Sequence, residues 1–70
     1  MSISEKLRSI MKLKRISMAD LAEKLGKSRQ NVYVKFDRNN WSDEDLTQYC
    51  EMLGITYEVV FRDAKTGKRL

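Results

Sequence analysis

The sequence predicts a mainly α domain of four short helices, ending in a C-terminal β-strand or short β-hairpin. Three observations carry this. Ser2, Ser17, Ser28 and Ser42 each precede a run of apolar residues at helical spacing, and a serine hydroxyl is among the best acceptors for the free N–H groups of a first helical turn. Only Lys27 separates Gly26 from Ser28, so the second and third helices join through a turn too tight for an ordinary loop. After Gly54 the apolar period drops to two, as in a strand.

The first helix is expected over Ile3–Lys14, with Ser2 and Glu5 spaced as a capping box. Ile3, Leu7, Ile10 and Met11 form its buried stripe. Leu13 lies off that stripe and suits a different partner, such as the C-terminal segment. Lys14 and Arg15 complement the negative end of the helix dipole. The second helix, Met18–Leu25, pairs Ser17 with Asp20 at its cap, and Ile16 with Leu21 as a hydrophobic staple. Leu21, Ala22 and Leu25 share one face, and Gly26 suits a left-handed stop. Ala22 is small where two helices cross closely.

The third helix, Arg29–Asp37, turns Val32 and Phe36 inward, and Arg38, Asn39 and Asn40 make a polar loop. The fourth is capped by Ser42, with Asp43, Glu44 and Asp45 in its positively polarised first turn. Trp41 and Leu46 are spaced as a second staple. Leu46, Tyr49, Cys50 and Leu53 face inward, and Gly54 ends the helix. Beyond it, Tyr57, Val59 and Phe61 alternate with Glu58, Val60 and Arg62, then Asp63–Lys68 forms a turn, leaving Arg69 and Leu70 to begin a return strand. The expected division is residues 1–54 as a helix-turn-helix domain and 55–70 as a strand or hairpin for dimerisation or core capping.

Composition narrows the function. Seventy residues make one small domain, which buries only about 60% of the surface its unfolded chain exposes. No apolar run approaches the roughly 18 residues that span a bilayer, and no signal peptide opens the chain, so a cytoplasmic protein without membrane contact is expected. One cysteine makes neither an internal disulfide nor a zinc site, and no cofactor, metal or small-molecule ligand is expected. Histidine is absent and the carboxylates gather at a helix start, where capping explains them, so the chain reads as no enzyme. The net charge is +4, with Lys6, Arg8, Lys12, Lys14 and Arg15 at the front and Asp43, Glu44, Asp45 and Glu51 behind. Such segregation fits a nucleic-acid binder with one working face, although charge runs also simply solvate helices.

Leu21-Ala22, Leu25-Gly26, Ser28 and Val32, followed by Leu46, Cys50, Leu53 and Gly54, resemble the Xre family, the small phage-repressor and Cro-type DNA-binding domains of bacteria and phages. The resemblance covers roughly residues 3 to 54. The chain departs from the family pattern at Met18, where a phosphate-contacting glutamine is usual, at Lys27, where a small apolar residue usually closes the turn, and at Asn39-Asn40, where a glycine often follows the second helix of the motif. Cys50 stands where alanine is usual.

The resemblance implies a repressor-like fold whose third helix enters the major groove of double-stranded DNA, with Arg29 and Gln30 at base-reading positions. Arginine can grip guanine O6 and N7, and glutamine can pair with adenine N6 and N7. Tyr33 and Val34 follow on the same side, where valine suits a thymine methyl group. Against this, Arg29 and Gln30 could be merely solvent-facing. Candidate phosphate contacts are Ser17, Lys27, Ser28, Lys35, Arg38 and Asn39; the Trp41 indole N–H is a further one.

Tyr57, Val59, Val60 and Phe61 are the candidate dimerisation residues. They either pair with a second molecule or lie over the groove between the first and fourth helices, and Cro-type dimerisation favours pairing. The expected function is a homodimeric transcriptional regulator, a repressor by family analogy. The alternative is a protein-interaction or antitoxin-like module that uses the helix-turn-helix as scaffold.

Overall fold

Each helix starts where a serine hydroxyl can accept from the third residue after it. In the computed structural model, which describes residues 1–70, these starts define α1 (Ile3–Lys14), α2 (Met18–Leu25), α3 (Arg29–Arg38) and α4 (Asp43–Leu53). Ser2, Ser17, Ser28 and Ser42 accept from the main-chain N–H of Glu5, Asp20, Asn31 and Asp45 at 3.0–3.1 Å. Asp20 and Asp45 return the bond to the cap N–H, completing two capping boxes. Every helix also ends in a left-handed residue, at Arg15, Gly26, Asn39 and Gly54. Asn39, with φ 50°, supplies at the end of α3 the conformation for which the family often uses glycine.

The core is Leu7, Met11, Leu21, Ala22, Val32, Phe36, Tyr49, Cys50 and Leu53, drawn from all four helices. Helix α2 packs against both α3 and α4. Phe36, Trp41 and Tyr49 form an aromatic cluster: the Trp41 ring meets Phe36 at 5.1 Å and Tyr49 at 4.9 Å, both edge-to-face. Each such pair adds about 0.5–1.5 kcal/mol beyond the area it buries.

Helix α1 is rotated from the expected orientation. Its buried residues are Ser4, Leu7 and Met11, while Ile10 is half-buried and Ile3 is 43% exposed. The reason is polar. Ser4 Oγ donates to the Phe36 carbonyl at 2.7 Å and accepts from the Trp41 indole N–H at 2.9 Å, so this small side chain faces the core at the helix start. Leu13 is 84% exposed, and no C-terminal segment covers it.

The expected C-terminal strand does not form. Residues 55–62 run without regular structure past Cys50, and a single antiparallel bridge joins Arg62 to Arg69. The turn at Asp63–Lys68 is present, but only Arg69 and Leu70 follow it, too few to build a ladder. Tyr57 is held within the chain: its hydroxyl donates to the Asp43 main-chain carbonyl at 3.1 Å and also contacts the Asp43 carboxylate and Thr47 Oγ. Val59 and Phe61 are 63% and 69% exposed, and Val60 also faces solvent.

Candidate nucleic-acid interface

The junction of α2 and α3 is closed by main-chain bonds. Gly26, at φ 69°, donates to the Glu23 carbonyl at 3.1 Å, and Lys27 N–H donates to the Ala22 carbonyl at 2.9 Å. A side chain in this left-handed conformation would be strained, so glycine is the favoured residue at the tight turn. Ser28 starts α3 immediately afterwards. Leu21 and Ala22 of α2 and Val32 and Phe36 of α3 are all buried at the crossing, which fixes the opposite face of α3 outward.

That outward face presents Arg29, Gln30 and Tyr33. Arg29 forms no ion pair, and Gln30 makes no side-chain hydrogen bond, so their donors are free for a ligand. Val34 is half-buried and lines a shallow hollow of about 160 Å³ with Asn31, Lys35, Arg38 and Asn40. It therefore sits lower than its three neighbours. Helix α3 alone among the four has no acidic residue in its first turn, so its positive end is not offset by its own carboxylate.

The candidate phosphate contacts divide. Lys27, Ser28 and Arg38 are exposed around α3, and Lys27 Nζ also lies 5.7 Å from the Tyr49 ring centroid. Ser17 shares its helix start with the Asp20 carboxylate, which its own main-chain N–H holds below the usual carboxylate range. A phosphate there would meet a fixed negative charge. Lys35 turns back into the protein: its ammonium pairs with Asp45, donates to the Asn40 carbonyl at 2.6 Å and lies 5.5 Å from the Trp41 ring centroid. Lys35, with help from the Ser42 main-chain N–H, lowers the Asp45 pKa to about 2. Asn39 Oδ1 accepts from Ser4 N–H at 3.1 Å, bringing the end of α3 to the start of α1, and the Trp41 N–H is taken by Ser4.

Sequence reasoning missed Ser4 and the Lys35–Asp45 pair. Ser4, Leu7 and Met11 do share a helical stripe, so a signal for Ser4 was present. Nothing local marks Lys35 as inward-facing, because its partner belongs to the next helix. At the core, burial raises the Cys50 thiol and Tyr49 hydroxyl pKa values, the latter helped by the nearby Asp45 charge. Cys50 is a buried free thiol, and no group of three or more potential ligands gathers to hold a metal ion. No helix is long and apolar enough to cross a membrane.

Two helices locked at a three-residue turn, the second offering unpaired polar side chains from its first turn, define a helix-turn-helix DNA-binding module. Residues 6–58 match the model of the Cro/C1-type helix-turn-helix DNA-binding domain, and the chain belongs to that family. Comparison with curated proteins and with solved structures finds no match.

Proposed function

We propose that the chain is a sequence-specific regulator of transcription that binds a palindromic operator as a homodimer and represses. The observation that carries the reading is the outward face of α3, where Arg29, Gln30 and Tyr33 stand exposed beside an uncancelled helix N-terminus. Arg29 and Gln30 read base edges, and Tyr33 packs against the groove with Val34 below it. Lys27, Ser28 and Arg38 are the favoured phosphate contacts. Lys35 and Asn39 instead hold the end of α3 in place, and Ser17 is the weakest contact of the set.

Dimerisation draws support from the C-terminal segment. The main-chain groups of residues 56–60 form no main-chain hydrogen bonds, beside the exposed Val59, Val60 and Phe61. An exposed apolar segment whose main-chain groups are unpaired suits a second copy. Tyr57, tied to α4, anchors the segment rather than entering the interface. Two copies related by a dyad would address half-sites about 34 Å apart. The same exposed residues also suit a different protein, which keeps an antitoxin-like role as the second reading.

The test is selection from randomised duplex DNA at low and moderate salt, followed by sequencing of the bound fraction. Recovery of a palindrome, bound less tightly as salt rises, supports the proposal. Arg29→Ala should then relax preference at one base pair by about 1–3 kcal/mol. Equal losses on selected and random DNA would remove Arg29 from the readout set, and salt-insensitive or absent binding would favour the protein-interaction reading.

A further inference from the structure

Residues 62–70 are a further concentration of positive charge, apart from the helix-turn-helix and from the basic residues Lys6, Arg8, Lys12, Lys14 and Arg15 of the N-terminal region. They carry Arg62, Lys65, Lys68 and Arg69 against Asp63 alone, a net +3. The segment 27–38, which includes α3, also carries net +3, from Lys27, Arg29, Lys35 and Arg38 against Asp37, but over a longer stretch. The family match ends at residue 58, so this charge lies outside it.

The segment is ordered although it buries no side chain. Asp63 Oδ1 accepts from the N–H groups of Lys65 at 2.9 Å and Thr66 at 3.1 Å. These bonds hold the carboxylate below its usual pKa and direct its charge into the turn. Gly67, at φ 72°, donates to the Asp63 carbonyl at 2.9 Å, and Asp63 N–H donates to the Lys68 carbonyl at 2.8 Å. Arg62 Nη1 donates to the Gly67 carbonyl at 3.2 Å, and Arg69 pairs with Glu58 at 3.3 Å. Lys65 and Lys68 form no ion pair, and both stand exposed on a closed turn.

The residues of this turn are exposed apart from the half-buried Asp63, and the chain as a whole is extended. The radius of gyration is 13.9 Å, against about 11 Å for a compact chain of this length, and the extents are 44 × 22 × 19 Å. A cationic turn with no packing role, on a module that binds a polyanion, is suited to that polyanion: its backbone order is established before binding, so contact costs little further chain entropy.

We infer that the Asp63–Lys68 turn is a second DNA-contacting element, in which Lys65 and Lys68 bind backbone phosphates outside the bases read by α3. The inference rests on the DNA-binding reading. It adds affinity without sequence preference, because phosphate contacts carry no base information.

The experiment measures binding of the full chain to a random-sequence duplex across a salt series, for the wild type and Lys65→Gln/Lys68→Gln. The turn is closed through main-chain groups of these residues, so the double variant keeps it, and an unchanged thermal melt verifies the fold. Each phosphate contact contributes about 0.9 to the slope of log K against log salt, so losing two should flatten the slope by about 1.8 per chain bound. An unchanged slope, with the wild type still binding DNA, overturns the inference and leaves the role of α3 standing. So does an unchanged slope accompanied by a loss of self-association, which would assign the lysines to contact between copies. A wild type that binds no duplex even at low salt overturns both readings.

Discussion

Ser4 carries more of the architecture than its size suggests. Its hydroxyl satisfies the Trp41 indole and one lone pair of the Phe36 carbonyl, while its N–H, one of the free donors of the first turn of α1, is met by Asn39. Ser4→Ala leaves the indole N–H unpaired, which should lower stability by about 1–3 kcal/mol in urea denaturation. Trp41 fluorescence gives a direct readout of the same change. Asp45 is the second consequential residue. With its pKa lowered to about 2, chiefly by Lys35, its contribution is complete above its unfolded value of about 4 and is lost as pH falls toward 2. The pair is partly exposed, so solvent screening limits the effect to about 1 kcal/mol. A Lys35→Met variant should show a shallower loss of stability between about pH 4 and pH 2 than the wild type, measured by urea midpoints. Asp20 and Asp63 also titrate low through main-chain N–H bonds, and that part of the acid response should survive the substitution.

The helices were largely legible in the sequence because their limits are set by neighbours three or four residues away. Ser17 with Asp20, Ser42 with Asp45, and the glycines at 26 and 54 each act within a turn or two of chain, and all sit where local pattern places them. The facing of α1 was not legible in the same way. Ile3 outranks Ser4 on any apolar scale, and the bonds that turn Ser4 inward come from residues 32 to 37 positions away. The C-terminal alternation was legible as a pattern, but a strand requires a partner, and the residues after the turn are too few to provide one. At the interface, Arg29 and Gln30 are outward as the motif implies, whereas Lys35 and Asn39 were indistinguishable in sequence from free polar residues. The end of α1 offers a test of local control. Arg15 adopts φ 57°, a conformation that costs an L-residue about 1–2 kcal/mol and glycine almost nothing. Its N–H donates to the Lys12 carbonyl, a bond glycine would keep. Arg15→Gly should therefore raise the thermal midpoint, offset in part by the greater entropy of the unfolded glycine chain.

At the scale of the whole molecule, only ten of the 70 residues are buried, and three consecutive apolar side chains of the C-terminal segment, Val59, Val60 and Phe61, stand exposed. A domain with so small a core has reason to associate. Under the dimer proposal, Phe61→Asp should shift sedimentation from dimer toward monomer while leaving the helical circular dichroism of the monomer intact, because Phe61 does not pack in the core. An unchanged dimer would place the contact elsewhere, with the exposed Ile3 and Leu13 of α1 the next residues to vary.

The paired punctuation of every helix, a serine at its start and a left-handed residue at its end, also bears on how the chain reaches its structure. Such signals operate before distant segments meet, so each helix can begin to form alone and the remaining search is the docking of four preset pieces. Helical chains dominated by local contacts fold in microseconds to milliseconds. For the proposed dimeric regulator, that speed shortens the interval between synthesis and occupancy of its site: folding contributes little delay, and under that proposal the response time passes to how fast copies accumulate and find one another.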